Sequence, residues 1–364
     1  MVHKHHTEAA SKGRISLTLH QCRSAIALLF HIPAFVFSMY GCTGTEMVRP
    51  VVPAGEDGET SFIIKTGTGI FSPAGGKTVD IFIFNDDALK RMDSYQRLEA
   101  GEDMTVAAAS RKGDKIVVAI ANPQQDEYEW STVSSFETIS GMYADLRRED
   151  PSSPMMTGVM RMEAADDGHF EMELQPILSE IYIRSIRCDF GGRPYVGSVL
   201  ENGTVYLSNI NSLAGIMEDE TFVPTAPINT DGFPDEAIRS LENPGMVYAA
   251  FGCDIGSNAV HPDIRLYCYP SSGEEDSAGS PYTRLVIAGD IGGRRYYYPI
   301  NINRGEFGNI AGKPGIGRNC RYTLDITIRQ TGSADPTVPV SPETVSIGAG
   351  IEPWNTVPEA EIKF

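Results

Sequence analysis

Histidine is scarce through most of this chain, and that scarcity removes much catalytic chemistry. Five of the seven His (His3, His5, His6, His20, His31) fall within the first 31 residues, leaving only His169 and His261. Two distant imidazoles argue against a histidine zinc site and against a Ser–His triad. The six cysteines include no CxxC spacing, which argues against zinc ribbons and thioredoxin-like redox pairs. Positive charge is also short, with Lys+Arg 30 against Asp+Glu 48 and a net charge of −18. A duplex-binding protein needs a basic face against phosphate, so nucleic acid is not an expected partner. Only two Trp are present, Trp130 and Trp354, too few for an aromatic sugar platform. No repeat of 20–50 residues supports a solenoid or propeller.

What is present is apolar and β-rich. Hydrophobic residues make up 41% of the 364, enough for packed cores. The length exceeds the ~250–300 residues at which single cores stop growing, so two domains are expected.

The first 41 residues read as an address. Lys4, Lys12, Arg14 and Arg23 stand against one acid, Glu8, ahead of a short apolar run over residues 25–38. A basic segment followed by a short apolar one is the layout of a secretory signal. His31 and Pro33 interrupt the run, which is too short to span a bilayer comfortably. Gly41-Cys42 follows at once and resembles a bacterial lipobox, in which the thiol is acylated and the cysteine becomes the first residue. The alternative is an ordinary signal peptide with a chance cysteine. Loss of residues 1–41 removes four basic residues and one acid, leaving 26 and 47, or −21. Such a chain is kept soluble by its charge and repelled by anionic surfaces. Residues 42–60 are polar and are expected to form a tether.

Beyond residue 60 the apolar residues come in short runs punctuated by turns. Strands are expected at 62–65, 79–84, 115–120, 169–174, 180–187, 246–251, 264–269, 284–287, 296–302 and 322–328. Asn202-Gly203, Gly191-Gly192 and Gly292-Gly293 are turn signals between them. Helical spacing is confined to 132–148, where Val133, Phe136, Ile139, Met142 and Leu146 recur every three or four residues, and to two short stretches at 211–217 and 235–241. The expectation is an all-β chain of two β-sandwiches with few short helices, 61–175 and 176–364, divided at Pro176.

No catalytic motif survives inspection. Residues 74–78 end like a phosphate loop, but the required first glycine position holds Phe71. Residues 65–69 lack the third glycine of the dinucleotide fingerprint. The acidic turns at 166–168 and 229–232 have too few oxygens for calcium. No catalytic, cofactor or metal residues are therefore expected. Of the four cysteines in the second half, Cys253 and Cys268 would meet if 247–254 and 263–270 formed a hairpin; buried free thiols are the alternative.

Four places together resemble the fimbrillins of type V pili, lipoprotein precursors of surface fimbriae in Bacteroidales-type bacteria. They are Cys42 ahead of a β-rich chain, the strand 78–85, the order of 117–123, 132–148 and 154–158, and the C-terminal pair 322–328 and 345–354. The resemblance implies two transthyretin-like, Greek-key sandwiches, no enzyme activity, and assembly by strand exchange with other pilus subunits. It also implies anchorage to the outer membrane by lipid and adhesion to a host or bacterial surface receptor. In that family a trypsin-like protease removes the first strand of polymerising subunits. Arg49 is a poor site because Pro50 follows it, and Lys65 lies inside the first expected strand. C-terminal strands are implicated as donors, which places that role at 337–364. The competing readings are a lipid-anchored surface glycan-binding protein and a surface hydrolase.

Overall fold

Strands form where apolar side chains can be buried on one face or on both, and two segments show the second case. In each of the runs 79–84 and 116–121 every residue is buried, and alternate side chains enter two different cores. A central strand packed on both faces reads as such a continuous run. The computed structural model describes residues 59–67, 78–99, 105–124, 128–165, 168–217, 227–234, 236–271, 282–304 and 314–354. They belong to one compact unit, Pro50–Phe364. The expected signal, Cys42, Arg49 and the tether up to residue 58 lie outside the described residues, as do residues 355–364; the last two residues assigned to the tether, Glu59 and Thr60, begin β1.

In chain order the first strands are β1 (Glu59–Gly67), β2 (Thr78–Asn85), β3 (Met92–Glu99), β4 (Thr105–Arg111) and β5 (Gly113–Ala121). After helix α1 (Phe136–Ser140) come β6 (Tyr143–Asp145), β7 (Met156–Ala164), β8 (Gly168–Glu173) and β9 (Gln175–Pro176). The second half holds β10 (Ser179–Cys188), β11 (Glu201–Ser208), β12 (Ile210–Asn211), β13 (Leu213–Gly215) and β14 (Pro227–Ile228). Helix α2 (Glu236–Arg239) precedes β15 (Tyr248–Ala250), β16 (Ile264–Cys268), β17 (Arg284–Ile291), β18 (Arg294–Asn301), β19 (Cys320–Ile328) and β20 (Val345–Pro353). The architecture is all-β.

In the first half, a five-stranded sheet of order β3-β2-β5-β7-β9 faces a three-stranded sheet of order β4-β1-β8. Phe62, Ile64, Ala108 and Met172 of the small sheet pack on Val79, Ile81, Ile83, Val117 and Ala119 of the large one. In the second half, the sheets β16-β10-β19-β20 and β15-β11-β17-β18 enclose Ile181, Ile183, Leu324, Ile326, Val205, Leu285, Ile287 and Tyr298. The hairpin β17–β18 turns at Gly292 and Gly293, with φ of 57° and 77°, the left-handed pair that a tight two-residue hairpin needs.

The expected helix at 235–241 forms in part as α2, and the other two helical expectations are corrected. Only five residues of 132–148 form α1, capped by the Ser135 side chain at its start and ended at Gly141. The next residues pair instead, because β6 finds β13 as an antiparallel partner and the Leu146 N–H donates to the Ser212 carbonyl at 2.8 Å. The stretch 211–217 is therefore strand, not helix.

Sheet membership changes near Pro176, but the buried residues do not divide there. One apolar cluster joins Phe82, Phe84, Val118, Ile120 and Trp130 to Ile177, Leu178, Ile210, Ala214 and Ile216. One apolar cluster thus spans the boundary expected at Pro176, and a second core lies between the two N-terminal sheets. Polar contacts tie the same junction. Arg318 reaches the Ile216 carbonyl at 3.1 Å and the Thr157 hydroxyl, and Tyr269 donates to Glu149 Oε1 at 2.8 Å.

Candidate assembly interface

The residues a strand-exchange reading singles out fall on β1 and β20. β1 is the middle strand of its sheet, antiparallel to β4 and parallel to β8. Its inward side chains alternate: Thr60, Phe62 and Ile64 are buried while Ser61 and Lys65 are exposed. Phe62 meets Phe170 edge-on, with ring centroids 5.8 Å apart. Among the described residues the buried hydroxyl of Thr60 has no hydrogen-bond partner. Two apolar pegs and two ladders of main-chain bonds hold β1, so its removal would bare a hydrophobic groove flanked by unpaired edges. Such a groove is what an added strand fills.

Lys65 is on the solvent side of β1, 3.8 Å from Glu171, with both side chains mostly exposed. An exposed pair of this kind contributes little to stability. Its backbone lies opposite Thr105 on one side and Glu171 on the other. A protease needs the chain extended and unpaired, so cleavage at Lys65 would have to precede pairing or follow release of the strand.

β20 lies at the edge of its sheet and pairs with β19 along its whole length, from Val345 opposite Ile328 to Pro353 opposite Cys320. Val345 is buried, Ile347 and Ile351 pack partly against the core, and Gly348, Ala349 and Gly350 face solvent. Trp354 closes the strand. It is buried, its N–H donates to the Asn319 carbonyl at 2.9 Å, and its ring lies 5.4 Å from that of Tyr267. Residues 345–353 therefore close their own sandwich here; the remaining tail residues Ile362 and Phe364 lie outside the described residues.

The cysteine hairpin does not form. β15 pairs with β11 in one sheet and β16 with β10 in the other; Cys268 ends β16, while Cys253 lies in the loop after β15. Both are free thiols, Cys253 exposed and Cys268 buried, and burial pushes the Cys268 thiol up to about 12. Trp130 and Trp354 are both in the core, so neither offers a surface platform.

Buried Asp80 and Asp93 are paired within the fold. Asp80 receives two hydrogen bonds from Arg97, at 2.8 and 2.9 Å, and one from Tyr95 at 2.7 Å. Burial pushes the Asp93 carboxyl up, but hydrogen bonds from Arg111 and Lys115 outweigh it and hold the group below its ordinary value. Glu149 is the exception in direction. Burial raises its carboxyl to about 7, against donors from Tyr269, the Met155 N–H and Gln124. These residues escaped sequence reasoning because their partners lie up to 120 residues away.

No protein-family model matches the sequence, and no curated protein does. Solved structures do match. A fimbrillin from Porphyromonas gingivalis superimposes with a TM-score of 0.60 at 15% identity, covering 83% of this chain and 99% of that one. A protein from Parabacteroides distasonis with a proposed role in cell adhesion gives 0.61 at 15%, covering 84% and 99%. The tip fimbrial protein of Porphyromonas gingivalis, with a C-terminal truncation, gives 0.52 at 13%, covering 82% and 100%. The chain has the fold of these proteins.

Proposed function

We propose that this chain is a structural subunit of a cell-surface fimbria, serving adhesion and carrying no catalytic role. The observation behind the reading is the fold shared with a fimbrillin over 83% of the chain. The geometry of β1 supports the finer part, assembly with other pilus subunits by strand exchange: it is a central strand held by two apolar pegs and main-chain ladders. A lipid on Cys42 would carry the precursor to the outer membrane, since two or more chains anchor where one binds only marginally.

Immunogold microscopy of fibres sheared from cells that express the chain tests this. Label on the fibres is the expected result. Label confined to the membrane of fimbriated cells would refute the subunit role.

A further inference from the structure

At one end of the second sandwich, the segments 188–199 and 254–260 face each other across a groove of ≈ 530 Å³. That volume is in the range of small-molecule sites. Its walls are fixed before any ligand arrives. The Cys188 N–H donates to the Gly256 carbonyl at 2.7 Å, and the Asp189 N–H to the Ile328 carbonyl at 2.7 Å. Leu200 and Ile255 exchange a pair of bonds at 2.9 and 3.0 Å, and Ile186 and Val260 another at 2.9 and 2.8 Å. Phe190 is locked edge-on against Tyr195 at 5.1 Å.

The lining combines two chemistries. Val196, Val199 and Val260 give apolar wall. Ser198, Asp254, Ser257 and Asn258 also line the groove, and among the described residues none makes a side-chain hydrogen bond within the chain. Asp325 on the same sandwich is, by contrast, committed to Arg184 and Ser185. The uncommitted set holds acceptors (Asp254), donors with acceptors (Asn258, the serines) and no cation. Asp189 and Asp254 repel an anion. Among the described residues no three His, Cys, Asp or Glu are placed to hold a metal ion, and hard cations need six or more oxygens.

We infer that this groove binds a neutral, hydroxyl-rich ligand, a short uncharged saccharide, with ring hydroxyls on Asp254, Ser257 and Asn258 and its C–H face on the valines. The inference rests on the surface-adhesin reading for its biological sense, because it names the chemical class of the receptor. Its chemistry stands apart from that reading.

The test is saturation-transfer NMR on the purified full chain with the methyl glycosides of glucose, galactose and mannose, and with glucuronate as the anionic control. Transfer to at least one neutral glycoside is expected. Ser257→Trp, which fills the groove from an exposed loop position, should abolish it. Asp254→Asn should weaken binding by about tenfold, the usual loss for one hydrogen bond to a charged acceptor. If Ser257→Trp unfolds the protein, Asn258→Ala replaces it, with weakened transfer expected. No transfer to any neutral glycoside would overturn the inference, as would transfer unchanged in the groove variants or equally strong transfer to glucuronate. Fibre incorporation of the same variants is scored separately. Loss of sugar binding with normal incorporation leaves the subunit role intact, and sugar binding by a chain absent from fibres would refute only that role.

Discussion

Replacing Glu149 by Gln should flatten part of the protein's pH–stability curve. The carboxyl is buried at the junction of the two halves, where Tyr269 donates to it at 2.8 Å and Gln124 at 3.2 Å. The Met155 N–H lies 3.4 Å from its other oxygen. The titratable groups bearing on it are Tyr269, Tyr128 through Gln124, and Asp150, whose charge pushes the same way as burial. Asp145, also beside Gln124, is neutralised by Arg147 at 2.6 Å. Burial raises the folded value from the ordinary 4.5 to about 7. A raised folded value means the folded state holds its proton where the unfolded state has lost it. The stabilisation is therefore complete below 4.5, falls as pH rises toward about 7, and is level above. The size is about 3 kcal/mol. Gln retains the hydrogen-bonding shape but cannot titrate. Urea unfolding of both proteins across this window should show wild type losing about 3 kcal/mol relative to the variant. Carboxylates held low, such as Asp93, slope the other way but are common to both proteins and cancel. Parallel pH profiles would refute the reasoning.

Other outcomes follow from the same structure. Cys42→Ser should abolish fatty-acid labelling and release the protein from the membrane; labelling equal to wild type would exclude acylation at that residue. In the native protein, a maleimide should modify exposed Cys253 quickly and buried Cys268 only after denaturation, whereas a thiol count showing both blocked until reduction would restore the bridge. A fragment ending at residue 178 keeps the core around Phe62 and Ile64 but loses the Arg318 and Tyr269 contacts. It should unfold cooperatively at lower denaturant than the full chain, and absence of a cooperative transition would make the two halves one folding unit.

Much of the fold was legible because local pattern and final environment agree. The run 81–84 is apolar because both faces of β2 are covered, and β19 alternates because only one face is. β3 was missed because MDSYQRLE looks like a polar loop. Its charges serve its neighbours, Arg97 for Asp80 and Asp93 for Lys115, which no local window shows. The 132–148 stretch has true helical spacing, yet a strand partner some 70 residues downstream captured its second part. The same distance problem hid the groove between 188–199 and 254–260, and it misled the cysteine pairing by joining two strands that belong to opposite sheets. The strand-exchange elements stood on resemblance; the central position of β1 and the edge position of β20 came only with the topology.

Deleting residues 343–364 tests the assembly claim most directly. The deletion removes β20, Trp354 and the tail beyond, and leaves untouched the N-terminal sheets that would accept a donated strand. Sheared surface fractions from cells expressing either form are sedimented and run on denaturing gels without boiling. The account predicts that the intact chain pellets with fibres as a stable ladder, while the truncated chain stays monomeric with its first sandwich still folded. A truncated chain that pellets and ladders like the intact one would contradict the donor role and leave β20 as merely the edge of its own sheet.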